Sequence, residues 1–371
     1  MAYGSLAVDK IENSDGFTLG GSGATMKNRI INGAMIIDQR NAGASVTPAN
    51  NAYTLDRWKF GLTQASKLTA QQNAGSVTPP AGFTNYLGIT SSSAYSVGSG
   101  DTFFLDQIIE GFNTADLNWG TASAKTVTLS FWVRSSGLTY PATFGGAFRN
   151  SAANRAYPFS YTISAANTWE YKTITVAGDT SGTWVGATNG TGIELVWDLG
   201  SGSTYLATAG TWASGNYIGA TGDSSVVGTN GATFYITGVQ LEVGSTATSF
   251  DYRPYGTELA LCQRYALKYN TDAIVYAFIG AGYATSTTNA NISLPLPVQM
   301  RTAPTVTASN LMVQDGTTIT AVTATAVVTN QTNSLNAFVQ ATVASGLTAF
   351  RPYQLQTNNN TAGNLLLSAE L

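Results

Sequence analysis

The chain is expected to be all-β: a jelly-roll sandwich, then a smaller C-terminal β-sandwich, with a short N-terminal leader in front. Three observations predict this. First, apolar residues alternate with polar ones in many short runs, most plainly in KTVTLSFWVR at 125–134. Second, the 39 glycines, with clustered Asn, Ser and Asp, supply the turns that many short strands require. Third, one run changes phase. Phe234 and Ile236 alternate with polar or smaller partners, Gly238 interrupts, and Val239, Leu241 and Val243 continue in the opposite phase. A period-2 strand that flips at a glycine marks a bulge or corner in a sandwich.

The elements follow in chain order. Residues 1–27 form a leader with one brief strand-like piece, Leu6-Ala7-Val8 with Lys10-Ile11, which alone buries no core. Residues 28–253 read as one large jelly-roll-type unit. RIINGAMII at 29–37 opens it as a strand with a glycine in the middle. In 125–134, Val127, Leu129, Phe131 and Val133 line one face, and Thr128, Ser130, Trp132 and Arg134 the other. WEYKTITV at 169–176 and GIELVWDL at 192–199 follow the same rule. Residues 200–231, rich in Gly, Ser, Thr and Ala, are a long surface connection. Tyr205, Trp212 and Tyr217, dispersed through it, argue against disorder.

Arg253-Pro254 ends regular pairing, and 257–264 reads as a short linking helix with Glu258 early in it and Leu259 and Cys262 on one face. Residues 254–371 then form the smaller sandwich, with strands at 274–279, 291–300, 317–328, 335–343 and 364–370. Pro295 and Pro297 mark the second of these as an edge strand.

Composition bounds the function. Charged residues make up 10% of the chain, against about a quarter in ordinary soluble domains. Solubility therefore rests on Thr, Ser, Asn and Gly. A net charge of −3 with no basic run argues against nucleic acid, whose phosphates demand clustered Lys and Arg. The single cysteine, Cys262, excludes an intrachain disulfide framework and a cysteine-rich zinc site. The absence of histidine removes Ser-His-Asp and Cys-His nucleophile arrangements and histidine-ligated metals. No cofactor or metal is expected. Residues 1–10 lack the apolar segment of a secretory signal, and no run of about 18 apolar residues spans a membrane, so neither secretion by that route nor membrane insertion is expected.

What remains is recognition of neutral polar surfaces. Sugars need flat apolar faces for their C–H surfaces, framed by groups that hydrogen-bond hydroxyls. Trp132 is a candidate because it lies on the strand face opposite the apolar row, with Arg134 two residues on. Trp119, in the turn Asn118-Trp119-Gly120, and Trp212 and Tyr217, on the Gly-rich connection, are further candidates. For each of these rings, burial in the sandwich core is the competing assignment. Asp251, Arg253 and Glu258 surround the junction between units, where Arg253 pairs with either carboxylate to fix a hinge, or all three are solvated surface charges. No catalytic residue is assigned. Asp106, Glu110 and Asp116 cluster in sequence. Glu194 and Asp198 share a strand face, but four residues place them roughly 13 Å apart, beyond the about 5 to 10 Å that glycosidase pairs use.

The wording of several segments carries a resemblance. FYITGVQLEVGSTATSFDYRPYGTELALCQRYALKY at 234–269 resembles the junction in tail-fibre and receptor-binding proteins of tailed bacteriophages and prophages. There a carbohydrate-binding-like jelly roll ends in VQLE and runs through RPYGTEL into LCQRY. IIEGFNTADLNWGTASAKTVTLSFWVRS at 108–135 and NRAYPFSYTISAANTWEYKTITVAGDTSGTW at 154–184 resemble the jelly roll itself. VQMRTAPTVT at 298–307 and the ending LLLSAEL resemble the distal domain, and VDKIENSDG at 8–16 resembles fibre leaders. The resemblance implies a non-enzymatic virion protein that acts outside the cell, binds a bacterial surface glycan, attaches to other virion proteins through its leader and forms a homotrimer. The jelly roll is more distantly similar to carbohydrate-binding modules. In those modules an aspartate-bearing last strand often ligates calcium, where this chain has Thr237-Gly238. Two other readings stay open: a structural head-fibre, capsid-decoration or connector protein, and a polysaccharide depolymerase.

Overall fold

The computed structural model describes residues 26–371, so all but the last two residues of the expected leader lie outside the described residues. The first unit contains β1 (Lys59–Leu62), β2 (Leu68–Gln72), β3 (Leu87–Ser91), β4 (Phe103–Glu110) and β5 (Val127–Ser136). It continues with β6 (Ala142–Arg149), β7 (Arg155–Ile163), β8 (Glu170–Val176) and β9 (Thr191–Asp198). Three two-residue pieces lie in the Gly-rich connection: β10 (Leu206–Ala207), β11 (Ala213–Ser214) and β12 (Gly219–Ala220). The long β13 (Thr233–Val243) closes the unit.

Two sheets face each other. One has the order β1-β4-β9-β6-β7-β11, the other β2-β3-β13-β5-β8. All of their pairings are antiparallel and many join strands distant in sequence, as in a jelly roll. Between them lie Trp58, Phe60, Phe103, Phe131, Phe144, Phe148, Trp197 and Phe234, all buried. β5 shows the rule at work: Val127, Leu129, Phe131 and Val133 enter this core, while Trp132 and Arg134 face away from it.

The phase change in β13 is real. Its ladder with β5 pairs Ile236 with Val133, slips between Thr237 and Gln240, and resumes with Leu241 opposite Leu129. Gly238 adopts φ +61° at the slip, a conformation that L side chains rarely adopt. The extra residue puts Phe234 and Ile236 before it, and Val239 and Leu241 after it, all into the same core.

Residues 29–37 do not form the expected strand. Asn32 and Met35 take positive φ (59° and 57°), so the Asn-Gly pair turns the chain. The side chain of Asn32 supports that turn by donating to Ile37 O (2.8 Å) and accepting from Ile37 N (2.9 Å). The segment still borders β13, through Arg29 N to Leu241 O and Val239 N to Gly33 O, both 2.9 Å. The Gly-rich connection is more than surface: Ile218, Ala220, Val226 and Val227 are buried against the sandwich.

After the strap 244–254 comes α1 (Tyr255–Gln263), starting behind Pro254. Then follow β14 (Ala266–Tyr269), β15 (Phe278–Ala284), β16 (Asn289–Pro295), β17 (Thr305–Ser309) and β18 (Leu311–Gln314). The last strands are β19 (Ile319–Val327), β20 (Asn336–Val343), β21 (Pro352–Thr357) and β22 (Asn364–Ser368). This C-terminal unit is all-β with its own core, and its main sheet closes on itself. The order β15-β16-β20-β19-β18-β21 is a barrel, beside a three-stranded sheet β14-β22-β17. Closure removes the edge expected at β16, which pairs with both β15 and β20. Pro295 is tolerated because it is the last residue of the strand. Among the described residues, no helix is long and apolar enough to cross a membrane.

The two units are joined by buried charges. Arg57 is fully buried, pairs with Glu370, donates to Ile108 O and lies 3.6 Å from the centroid of the Tyr265 ring. Arg40 reaches the other oxygen of Glu370 (2.9 Å). Arg264 and the Tyr265 hydroxyl both donate to Glu110, at 2.6 and 2.7 Å. Burial favours a neutral Glu110, but these bonds outweigh it and hold the carboxyl below its usual range. Arg253 meets Glu258 at 3.2 Å with both side chains buried, and donates to the carbonyls of Asn28 and Ile30. Asp251 accepts from Asn28 N (3.2 Å) rather than pairing with Arg253.

Removing one partner of a buried pair strands the other charge. Glu370→Ala is expected to cost about 3–5 kcal/mol in denaturant unfolding. Asp116→Ala, which breaks a half-exposed pair with Arg29, is expected to cost less than about 1 kcal/mol. Equal costs would show that the seam is not what holds the units together.

Candidate functional site

The face of the five-stranded sheet that points away from the core carries an aromatic groove. Trp132 of β5 stands directly across the ladder from Tyr171 of β8, and their ring centroids lie 5.4 Å apart. Ser130 is the next residue of β5 on this face. The opposite wall comes from two other segments. Phe83 arrives from the loop between β2 and β3, and Phe250 and Tyr252 from the strap before α1. Their rings pack as a trio, with centroids 5.0 Å (Phe83–Phe250), 5.6 Å (Phe83–Tyr252) and 4.8 Å (Phe250–Tyr252) apart.

Local chemistry explains why this wall stands where it does. Gly238 has no side chain, and a Cβ there would lie 2.6 Å from the Phe83 ring, so the bulge is also the seat of Phe83. The Tyr252 hydroxyl donates to Gly82 O (2.8 Å), tying strap to loop. Lys27 donates to Ser249 O (2.8 Å) at the rim.

The walls enclose a cavity of about 750 Å³, lined also by Ala81, Thr248 and Ser249. Among the described residues, no charged side chain lines it. Tyr171 and Tyr252 remain 44% and 54% exposed, so the walls are open to a ligand. Beyond Trp132 the aromatic face continues through Trp169, Tyr86 and Tyr235, with Tyr86 5.5 Å from Trp169 and 5.2 Å from Tyr235.

The other sequence candidates lie elsewhere. Arg134 shares the face of Trp132 but is engaged: it donates to Asn167 Oδ1 (2.7 Å) and lies over the Tyr235 ring. Trp119 is 7% exposed, not an open turn residue. It packs edge-on against Trp184 (4.8 Å) and Trp212 (5.2 Å) and donates to Lys125 O, closing the core. Trp212 is half-buried in the same cluster, against Tyr157, with its indole N–H on Ala177 O (2.8 Å). Tyr217 is half-buried over Gly215. None of these three lines the groove. Asp251, Arg253 and Glu258 border a smaller cavity of about 220 Å³ that shares Phe83 and Tyr252 with it.

Phe83, Phe250 and Tyr252 were not among the sequence candidates. The alternation of Phe250 and Tyr252 in SFDYRP was the available signal. Of the carboxylates weighed for acid–base work, Asp106, Glu110, Asp116 and Glu194 each face a Lys or Arg, and among the described residues Asp198 does not. Asp106 faces Lys59 at 3.1 Å and Glu194 accepts from Arg149 at 2.6 Å, both on the far sheet. Among the described residues, no group of three or more His, Cys, Asp or Glu side chains is placed to hold a metal ion.

No protein-family model matches the chain. A search of curated proteins finds no match either. Solved structures give distant likenesses. The chain is similar to the enzymatically active domain of tailspike protein 4 of bacteriophage CBA120, at 11% identity over 59% of this chain and 22% of that one, with a TM-score of 0.33. It is also similar to a family 11 carbohydrate-binding module from Clostridium thermocellum solved with a mixed-linked tetrasaccharide (10% identity, 54% of this chain, 96% of that one, TM-score 0.27). A third likeness is the xylan-binding domain CBM22-1 of Paenibacillus barcinonensis Xyn10C (9% identity, 56% and 99%, TM-score 0.27).

The two kinds of aromatic separate by stability. Trp119→Ala is expected to cost about 3–5 kcal/mol, because it opens a cavity in the core. Tyr171→Ala is expected to cost under about 1 kcal/mol, because its ring stands on an exposed face and fills no core space. Thermal unfolding of both variants checks the assignment.

Proposed function

We propose that this protein is a non-catalytic adhesin that holds a neutral glycan in the groove between Trp132–Tyr171 and Phe83–Tyr252. The observation that carries this reading is the groove itself: two aromatic walls, hydroxyls at Ser130 and Ser249, and, among the described residues, no charged lining. Aromatic faces stack on the C–H faces of sugar rings, and a ring with few torsions gives that contact at low entropy cost. Hydroxyls at the rim orient without demanding a charged ligand. A glycosidase would need two carboxyl groups about 5 to 10 Å apart across the bond to be broken, and among the described residues the groove offers none.

In this reading the chain is a tail-fibre or receptor-binding protein of a tailed phage, located on the virion. The wording of 234–269 and of the jelly-roll segments supports that placement. Many weak sites then act together, and avidity replaces single-site affinity. The barrel supports assembly of several copies. Between Asp315 and Arg351 the sequence has no charged residue, and Ile319 and Phe350 are 62% and 84% exposed. Identical copies brought together through such a surface meet no like-charge repulsion, which suits a homotrimer. The same feature favours a second reading, in which the protein is a head-fibre, capsid-decoration or connector element that packs against neighbours.

The test is a glycan array followed by titration of the best ligand. Saturable binding is expected. Trp132→Ala and Tyr252→Ala should each weaken it about 10- to 100-fold, or ~1.4–2.8 kcal/mol, while Ile319→Ser leaves it unchanged. Binding insensitive to both groove variants would move the site elsewhere. Release of new reducing ends from the bound polymer would replace the adhesin by a depolymerase. Immunolabelling of virions separates tail from head.

A further inference from the structure

A second polar feature lies on the opposite side of the molecule, independent of the groove. Asp198 ends β9, and Asp223 sits in the Gly-rich connection that follows. Between Asp198 and Glu242, Asp223 is the only charged residue in the sequence. The fold nevertheless brings these two carboxyls together. A Cβ on Gly219 would lie 2.6 Å from Asp198 Oδ2 and 2.5 Å from Asp223 Oδ2, and one on Gly145 would collide with the same Asp223 oxygen. Only glycine at both positions leaves room for the meeting.

Backbone N–H donors reach two of the four carboxyl oxygens. Asp198 Oδ1 accepts from Gly200 N (3.1 Å) and Ser201 N (2.8 Å). Asp223 Oδ2 accepts from Ala220 N (3.2 Å). Asp198 Oδ2 is buried and, among the described residues, no N–H or O–H group is placed to donate to it. Neither carboxyl has a Lys or Arg partner among the described residues. The charges nearby are spent on one another: Asp106 of β4 on Lys59 of β1, and Glu194 of β9 on Arg149 of β6. From β7 the titratable group is the buried Tyr161 hydroxyl, which also lacks a partner. β12 brings no titratable side chain.

Two ionised carboxyls cannot share such a place. We propose that Asp198 and Asp223 hold one proton between them, Asp223 donating to Asp198 Oδ2, and that this acid–carboxylate bond latches the Gly-rich connection onto the end of β9. A calcium ion is the other way to neutralise the pair. It would need six to eight oxygen ligands, whereas backbone N–H groups already point at two of the four carboxyl oxygens.

The latch makes stability depend on pH. Burial first, then the negative charge of Asp198, push the Asp223 carboxyl up to about 9. A carboxyl raised in the folded state contributes stability that is complete below the ordinary carboxyl range, near pH 4, and is lost as pH rises toward 9.

The experiment compares wild type with Asp223→Asn, in which an amide N–H replaces the shared proton and position 223 no longer titrates. Between pH 5 and 8.5, the unfolding equilibrium constant of wild type should rise by up to about tenfold per pH unit relative to the variant. In calorimetry, unfolding of wild type near neutral pH should release one proton more than unfolding of the variant. Should the variant fail to fold, an infrared carboxylic-acid C=O band that persists at neutral pH both in wild type and in Asp106→Asn, which removes another carboxyl that burial pushes well up, supports the latch, and its absence overturns it. Parallel pH profiles for the two proteins overturn it as well. So does stabilisation of wild type, but not of the variant, by added calcium, which would put a cation in place of the proton.

Discussion

One extra residue in β13 shapes most of what matters in the first unit. A strand with strict period two would have turned either Phe234 and Ile236 or Val239 and Leu241 toward solvent. The slip at Gly238 lets all four enter the core. It does so in a central strand, flanked by β3 on one side and β5 on the other. The same glycine gives Phe83 its seat, and Phe83 in turn anchors Phe250 and Tyr252. A side chain at this position meets two obstacles at once, the positive φ and the Phe83 ring, so core and groove depend on one backbone conformation.

Charge is scarce in this chain and is placed where it cannot be lost. Arg57, Glu370, Glu110 and Arg253 are buried at the junction between units, and Asp106 and Glu194 lie paired on the six-stranded sheet. Such pairs give little net stability compared with apolar packing, but they are unforgiving of misalignment, because a displaced partner leaves a bare charge in a low-dielectric place. They define one orientation of the two units rather than merely favouring contact. The outer surfaces are left to Thr, Ser and Asn, and to the aromatic groove.

The strands whose residues alternate in polarity were legible, including β9, which is buried on both faces. β5, β8, β9 and β20 lie within one or two residues of their expected bounds, as does α1. Residues 29–37 misled because RIINGAMII is apolar enough for a strand, while its turn is also held from distant sequence, through Asn32 Nδ2 to Asp56 O. β17, β18 and β21 were missed: they are short, and β17 is largely exposed along its length. Barrel closure is likewise invisible locally, since the same strands serve an open sheet. Trp132 was legible from its strand face. Trp119 was placed outside because a turn suggests exposure, whereas the indole folds back onto Trp184 and Trp212. The far wall of the groove comes from segments more than 160 residues apart, Phe83 and Phe250, and no local pattern joins them.

That far wall lies on the strap that leads out of the jelly roll, and the strap is fixed on all sides. Gln240 Oε1 accepts from Asp251 N (2.8 Å), Gly82 O from the Tyr252 hydroxyl, and the carbonyls of Asn28 and Ile30 from Arg253, which is itself paired with Glu258 of α1. A wall built from a free loop would have to be ordered by its ligand, at a cost of roughly 0.5–1.5 kcal/mol for each side chain immobilised. Here that ordering is done by folding. The bonds that set the angle between the two units also hold Phe250 and Tyr252 facing Trp132, so the groove stands ready-made, and contact area rather than rearrangement decides what it retains.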